Sequence, residues 1–194
     1  MPSPNPKPPL QKKSRNLVAE NSKFDLFFDH LVLPDGESIP NFLVVSPKKR
    51  MEDGTTGVAI LPVLNDSIAL IRVYRHAIEE WSWEIPRGFV ESNETFQEGA
   101  QRELLEETGM ACPIPNLVPL GNFRPDAGIL NAKVQLVAAL HCEIRQPFAP
   151  NETGHVELKT VSSKEIHDWI NRGDIHDPST LIAFYRYERI KQTL

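Results

Sequence analysis

The segment from Gly88 to Met110, GFVESNETFQEGAQRELLEETGM, constrains this chain more than any other. It opens on one glycine, nears its end on another, and carries Glu94, Arg102, Glu103, Glu106 and Glu107 between them, with apolar Leu104 and Met110 at two more fixed places. The spacing predicts a helix. Ser92 and Asn93 can cap a start near Asn93 or Glu94, and Glu94 then meets the positive end of the helix dipole. Gly109 ends it, because glycine tolerates the left-handed conformation that closes a helix. Phe96, Ala100 and Leu104 recur every four residues and form an inward stripe. Glu103, Glu106 and Glu107 fall on another face at i, i+3 and i+4, where three carboxylates converge and repel. Arg102 can pair with Glu98 or Glu106 at i±4, but one guanidinium is too little for so many carboxylates. A hard, oxygen-seeking divalent ion such as Mg2+ answers the repulsion. A solvated acidic face is the plainer alternative for the EXXEE run taken alone.

The complete pattern, GX5EX7REUXEEXGU with U apolar, separates these two readings. With about 5–7% usage for each specified residue, a chance match anywhere in the chain is of order one in ten million. The segment resembles the Nudix box. That resemblance implies a loop, helix and loop that binds divalent metal and cleaves a nucleoside diphosphate linked to another moiety. It implies Glu103 and Glu107 as main metal ligands, Glu106 as an auxiliary ligand or orienting group, and the backbone carbonyl of Arg87 as another donor. The implied ion is Mg2+ or Mn2+.

The chain has 194 residues, 40% of them hydrophobic, which suffices for the core of one ordinary domain. Its formal charge of −5 favours neither nucleic acid nor a membrane surface, so an anionic substrate has to be drawn by local arginines and metal. The apolar runs, such as Val134 to Leu140, are too short to span a bilayer. The first fifteen residues hold five prolines and four basic side chains without a hydrophobic signal region, and residues 1–16 read as a disordered tail. Cys112 and Cys142 have neither a metal nor a redox spacing and read as structural thiols of a reduced, cytoplasmic protein.

Beyond the tail, Leu17 to Ser46 holds short apolar segments about a turn at Pro34-Asp35-Gly36, which predicts a small antiparallel sheet within residues 17–50. Gly57 to Val63 and Ser67 to Tyr74 read as a hairpin about Asn65-Asp66. Ser82 to Pro86, Leu117 to Phe123, Lys133 to Glu143 and Val156 to Val161 read as further strands, and Ser163 to Arg172 and Pro178 to Lys191 as helices. The pattern is α+β, a mixed sheet with helices outside it. The resemblance implies the Nudix α/β/α sandwich for residues 51–194, preceded by the small N-terminal sheet.

The rest of the chain is similar to the ADP-ribose pyrophosphatases. The stretch GVAILPVLNDSIALIRVYRHAI followed by WEIPRGFVE carries this likeness, with Pro125 fifteen residues after Met110. So does Gly173 to Leu181, which matches GxIxDxxTL. The implied reaction is attack of water on one phosphorus of ADP-ribose, giving AMP and ribose 5-phosphate. Arg72, Arg75 and Arg87 are candidates for the pyrophosphate, because a guanidinium fork fits phosphate oxygens. Arg72 could equally lie along a sheet surface. Glu84 could accept hydrogen bonds from adenine or ribose, or form a cross-strand ion pair. Glu152 stands where the subgroup carries a catalytic base in an acidic loop. Glu106 is the alternative, and Arg102 completes the candidate catalytic set. The subgroup's second loop acid is replaced here by Gly154, and Glu157 could serve only through a register shift. Phe27, Phe28, Trp81 and Trp83 could stack on adenine, with core or interface packing as the other reading. The resemblance further implies a homodimer whose N-terminal sheets exchange. Alternatives are another nucleoside diphosphate sugar such as GDP-mannose, a (d)NTP pyrophosphohydrolase, or a nucleotide-binding module without turnover.

Overall fold

The computed structural model describes residues 7–149 and 154–193, and divides into two units. In the first, β1 (Gln11–Glu20), β2 (Phe24–Val32) and β3 (Ser38–Pro47) form an antiparallel sheet in that order. Asn21 turns the chain between β1 and β2 by accepting the N–H groups of Lys23 and Phe24 at 2.8 and 2.7 Å. Asp35 does the same at the expected Pro34-Asp35-Gly36 turn, accepting the Glu37 N–H at 3.0 Å. Asp126–Ala132 clusters with this unit. Val45 donates to Ile129 and accepts from Asn131, both at 2.8 Å.

The strand β1 starts inside the expected tail. The segment has a linker's composition and its side chains are exposed, but it pairs with β2 from Gln11 to Glu20, with irregularities at Lys13 and Val18, and Arg15 grips buried Asp29 with two 2.7 Å hydrogen bonds. The expected tail residues 1–6 lie outside the described residues.

The second unit, Lys49–Pro125 with the chain from Lys133 on, holds a seven-stranded mixed sheet. Its order is β12 (His155–Ser162), β5 (Ser67–Arg75), β4 (Gly57–Leu64), β10 (Val134–Ala139), β9 (Leu117–Phe123). In addition, β6 (Glu80–Glu84) pairs with β5 and β7 (Arg87–Phe89) with β4. The β4–β10 pairing is parallel and the others antiparallel. Near-continuous apolar runs are required of central strands covered on both faces. Alternation along them feeds two cores. Val58, Ile60, Ala69, Val137 and Ala139 pack with Ala100 and Leu104 of α1 (Phe96–Thr108). Ala59, Leu61, Leu70, Leu136 and Ala138 pack with Ile166 of α2 (Ser163–Arg172) and Phe184 of α3 (Pro178–Ile190). The result is the expected α/β/α sandwich.

The expected long strand from 133 to 143 stops at Ala139. His141 takes a φ of 55° and the Cys142 N–H turns to the Val63 carbonyl at 3.1 Å. β11 (Glu143–Ile144) instead pairs with β8 (Met110–Ala111). Both thiols are free and buried. Among the described residues, no helix is long and apolar enough to cross a membrane.

Candidate active site

The helix α1 is capped by Thr95, not by Ser92 or Asn93. Asn93 takes a left-handed turn conformation with φ of 71°, which carries the chain two residues further before the helix begins. The Thr95 hydroxyl accepts the Glu98 N–H at 3.2 Å and the Glu98 carboxylate returns to the Thr95 N–H at 2.7 Å, a reciprocal capping box. Glu98 is thereby removed as a partner for Arg102. At the other end Gly109 has φ of 72° and donates its N–H to Leu105 at 2.9 Å.

On the site face of α1, Glu103 and Glu107 are each only 6% exposed. Glu103 folds over Gly88: a Cβ there would lie 2.0 Å from the carboxylate oxygen Oε1. The box glycine is therefore a vacancy that a carboxylate fills. Glu107 Oε2 accepts the Arg87 backbone N–H at 2.9 Å, so the acid pair sits against Arg87 and Gly88, the first two residues of β7. Glu106 is the exposed member of the trio, with 55% of its side chain accessible.

Arg102 spends its donor fork inside the chain. Nη1 reaches Glu103 at 2.6 Å and Glu106 at 3.2 Å, and Nη2 reaches Glu94 at 2.8 Å and the Phe89 carbonyl at 3.0 Å. The Glu94 hydrogen bonds push the Arg102 pKa up. Burial works against the Glu94 charge, but the Arg102 contacts prevail and hold that carboxyl below its usual range. This geometry makes Arg102 a clamp on the acid cluster.

A second cluster surrounds Glu84, which is 2% exposed. Arg75 Nε donates to Glu84 Oε1 at 3.0 Å, and Arg87 Nη2 to Glu84 Oε2 at 2.8 Å. Burial opposes the Glu84 charge, yet Arg75 and Arg87 keep its carboxyl below the ordinary value. Arg87 Nη1 extends to Ser179 at 3.2 Å and to Asp177 at 3.1 Å. Asp177 caps α3 by accepting the Thr180 N–H at 2.8 Å, and the Thr180 hydroxyl accepts the Ile85 N–H at 3.0 Å. The GxIxDxxTL stretch thus bolts α3 to the strand end that leads into the box. Both guanidiniums remain about one-third exposed, at 35% for Arg75 and 32% for Arg87.

The remaining expected residues divide. Arg72 lies over the Trp81 ring, 5.1 Å from its centroid, and 4.0 Å from Glu157, as a sheet-surface residue does. Glu157 is held in β12 opposite Arg72. Trp83 packs on Trp169 in the core beneath α2. Phe28 is half-buried in β2 between Asn16 and Leu43 of its own sheet. Glu152 lies outside the described residues. Two features had no forecast: the Asp177–Arg87 contact, and buried His155, whose Nε2 lies 3.9 Å from Glu107 Oε1.

The acid pair fits a hard divalent ion by donor type. Among the described residues no three His, Cys, Asp or Glu side chains converge as a ready cage. Mg2+ does not require one, because it is commonly held by one or two carboxylates together with waters and substrate phosphates.

These features agree with the comparisons to known proteins. An ADP-ribose pyrophosphatase of Bacillus subtilis (strain 168) is 25% identical over 189 residues, covering 95% of this chain and 96% of that protein. A methanol dehydrogenase activator of Bacillus methanolicus is 27% identical over 168 residues, covering 86% and 85%. The crystal structure of an ADP compounds hydrolase shares the fold with a TM-score of 0.79 at 18% identity, covering 98% of both chains. The model of the NUDIX domain matches residues 54–182, a span that contains the entire glycine-bounded acidic segment and the start of α3, and the chain belongs to that family.

Proposed function

We propose that this Nudix pyrophosphohydrolase hydrolyses ADP-ribose to AMP and ribose 5-phosphate in the presence of Mg2+. The observation that carries the reading is the buried pair Glu103 and Glu107, fixed against Gly88 and Arg87, with the Arg75 and Arg87 guanidiniums gathered on Glu84. The full-length similarity to an ADP-ribose pyrophosphatase supports the choice of substrate.

A divalent ion, when bound, neutralises charge developing on pyrophosphate oxygens and acidifies the attacking water. Glu103 and Glu107 would supply its carboxylate oxygens, and the Arg87 carbonyl would be a further donor. Arg102 holds Glu103 and Glu106 in register. Arg75 and Arg87 direct N–H groups to pyrophosphate oxygens, while Glu84 orients both. Exposed Glu106 takes the proton of the water as it adds to one phosphorus. The bond from that phosphorus to the bridging oxygen breaks, and the leaving phosphate keeps the electron pair. Glu152 is the alternative base. Glu152→Gln turning over within about threefold of wild type would remove it, since loss of a general base costs ~10²–10⁴-fold.

The exposed edge strand β1, with Leu17 at 53% and Val18 at 46% exposure, supports a homodimer joined through the N-terminal sheet. A monomeric mass by light scattering at working concentration would contradict that. The buried free thiols suit a reducing compartment, and we place the enzyme in the cytoplasm.

A product assay with ADP-ribose, GDP-mannose, NADH and dGTP in Mg2+ tests the substrate. Selective release of AMP from ADP-ribose supports the reading. Preference for GDP-mannose or dGTP moves the chain to another Nudix substrate class, and tight nucleotide binding without hydrolysis makes it a binding module.

A further inference from the structure

His155 is the first residue of β12 and is 8% exposed. Its place is pinned by the residue before it. Gly154 has φ of 95°, its carbonyl accepts the Tyr74 N–H at 2.9 Å, and a Cβ at that position would lie 2.6 Å from the Tyr74 carbonyl oxygen. Only glycine meets both demands, so the chain enters β12 in one register, with His155 opposite Val73.

That register puts the imidazole beside the acid pair. His155 Nε2 lies 3.9 Å from Glu107 Oε1, while the other Glu107 oxygen is held by the Arg87 N–H at 2.9 Å. A separation of 3.9 Å is too long for a hydrogen bond. It lies between the two spacings at which a pair of donors shares an octahedral ion, so side-chain shifts of about 0.3–0.9 Å would bring both onto one. With metal–ligand bonds of about 2.1 Å, two ligands stand about 3.0 Å apart when adjacent on an octahedron and about 4.2 Å apart when opposite.

We propose that His155 is a nitrogen ligand in the ion seat of this enzyme, sharing a divalent ion with Glu107 Oε1. The seat is then a mixed nitrogen and oxygen site, with phosphate oxygens and water completing the shell. Imidazole favours later first-row ions over Mg2+, so the seat binds Mn2+ and Co2+ more tightly than Mg2+. A purely carboxylate seat would discriminate less. The inference rests on the metal-dependent reading above, and its test separates the two.

The full-length protein is loaded with Mn2+ and a methylene-bridged ADP-ribose analogue that it cannot hydrolyse, and pulsed electron paramagnetic resonance reads nitrogen coupling to the manganese. The expected result is a directly coordinated 14N signal that changes to 15N on labelling with 15N-histidine and disappears in His155→Gln. Mn2+ affinity should fall at least about tenfold in that variant, with a smaller change for Mg2+. Should His155→Gln fail to fold, His155→Asn is the second variant. Bound Mn2+ without nitrogen coupling, or coupling that survives removal of His155, overturns the proposal while leaving the metal-dependent reading intact. No Mn2+ bound with the analogue present overturns both.

Discussion

Replacing Gly88 by alanine tests the packing of the acid pair directly. The new methyl carbon would lie 2.0 Å from Glu103 Oε1, 2.1 Å from its carboxyl carbon and 2.3 Å from Oε2. Non-bonded heavy atoms settle at about 3.5 Å, so the carboxylate has to withdraw by about 1.5 Å. The atoms that move are the end of a side chain, and Gly88 sits in extended β7 opposite Val58, so the backbone has no need to shift. Stability should change little. Activity should not be spared, because a misplacement of about 1 Å at a site costs on the order of 100-fold. The expected outcome for Gly88→Ala is a kcat/KM about 100-fold lower, or about 2.7 kcal/mol of lost transition-state stabilisation, with a melting temperature within a few degrees of wild type. The assay is steady-state AMP release at saturating Mg2+, paired with thermal unfolding. Turnover within threefold of wild type would refute the placement of Glu103 over Gly88.

Asp177→Ala removes the α3 cap and the Arg87 contact together. It should cost about 1–3 kcal/mol in urea unfolding and raise KM more than it lowers kcat, while Asp177→Asn keeps the cap and loses less stability. Glu84 has a folded-state pKa below its unfolded value of about 4.5, so the unfolded chain binds the extra proton between the two. Its stabilisation is present above pH ~4.5 and lost as pH falls through the folded value. Glu84→Gln should be less stable at pH 7 and show a shallower acid decline of the urea midpoint; an unchanged decline would show that its ion pairs are not the source. Ser82→Ala should leave stability within about 0.5 kcal/mol, because the buried Ser82 hydroxyl has no hydrogen-bond partner among the described residues. A loss above about 1.5 kcal/mol would reveal one.

The sequence revealed what was local. Helical periodicity put Ala100 and Leu104 inward, and they are in the core, because spacing along a helix needs no knowledge of the rest of the fold. The expected convergence of three carboxylates is reduced to two: Glu103 and Glu107 are buried while Glu106 is exposed, and no three acidic side chains converge among the described residues. The cap was misread for an equally local reason: Ser92, Asn93 and Thr95 are all capping residues, and only the backbone at Asn93 decides among them. Contacts between distant parts of the chain left no such trace. Arg87 and Ser179 are 92 positions apart, and no periodicity announces their hydrogen bond. His155 falls just before the expected strand Val156 to Val161, and its burial beside Glu107 follows from the β12 register against β5. The Gln11–Asn16 stretch read as a tail because its composition is that of a linker, whereas its strand character comes from the partner ladder.

The most direct test of the account is the Mg2+ dependence of AMP release from ADP-ribose, measured side by side for wild type and for Glu107→Gln of confirmed fold. The account predicts that chelation silences the wild type, that Mg2+ restores it, and that Glu107→Gln stays at least about 100-fold below it at every Mg2+ concentration. Metal-independent release, or a Glu107→Gln enzyme that keeps wild-type turnover, would contradict the claim that the α1 acid pair is the centre of the chemistry.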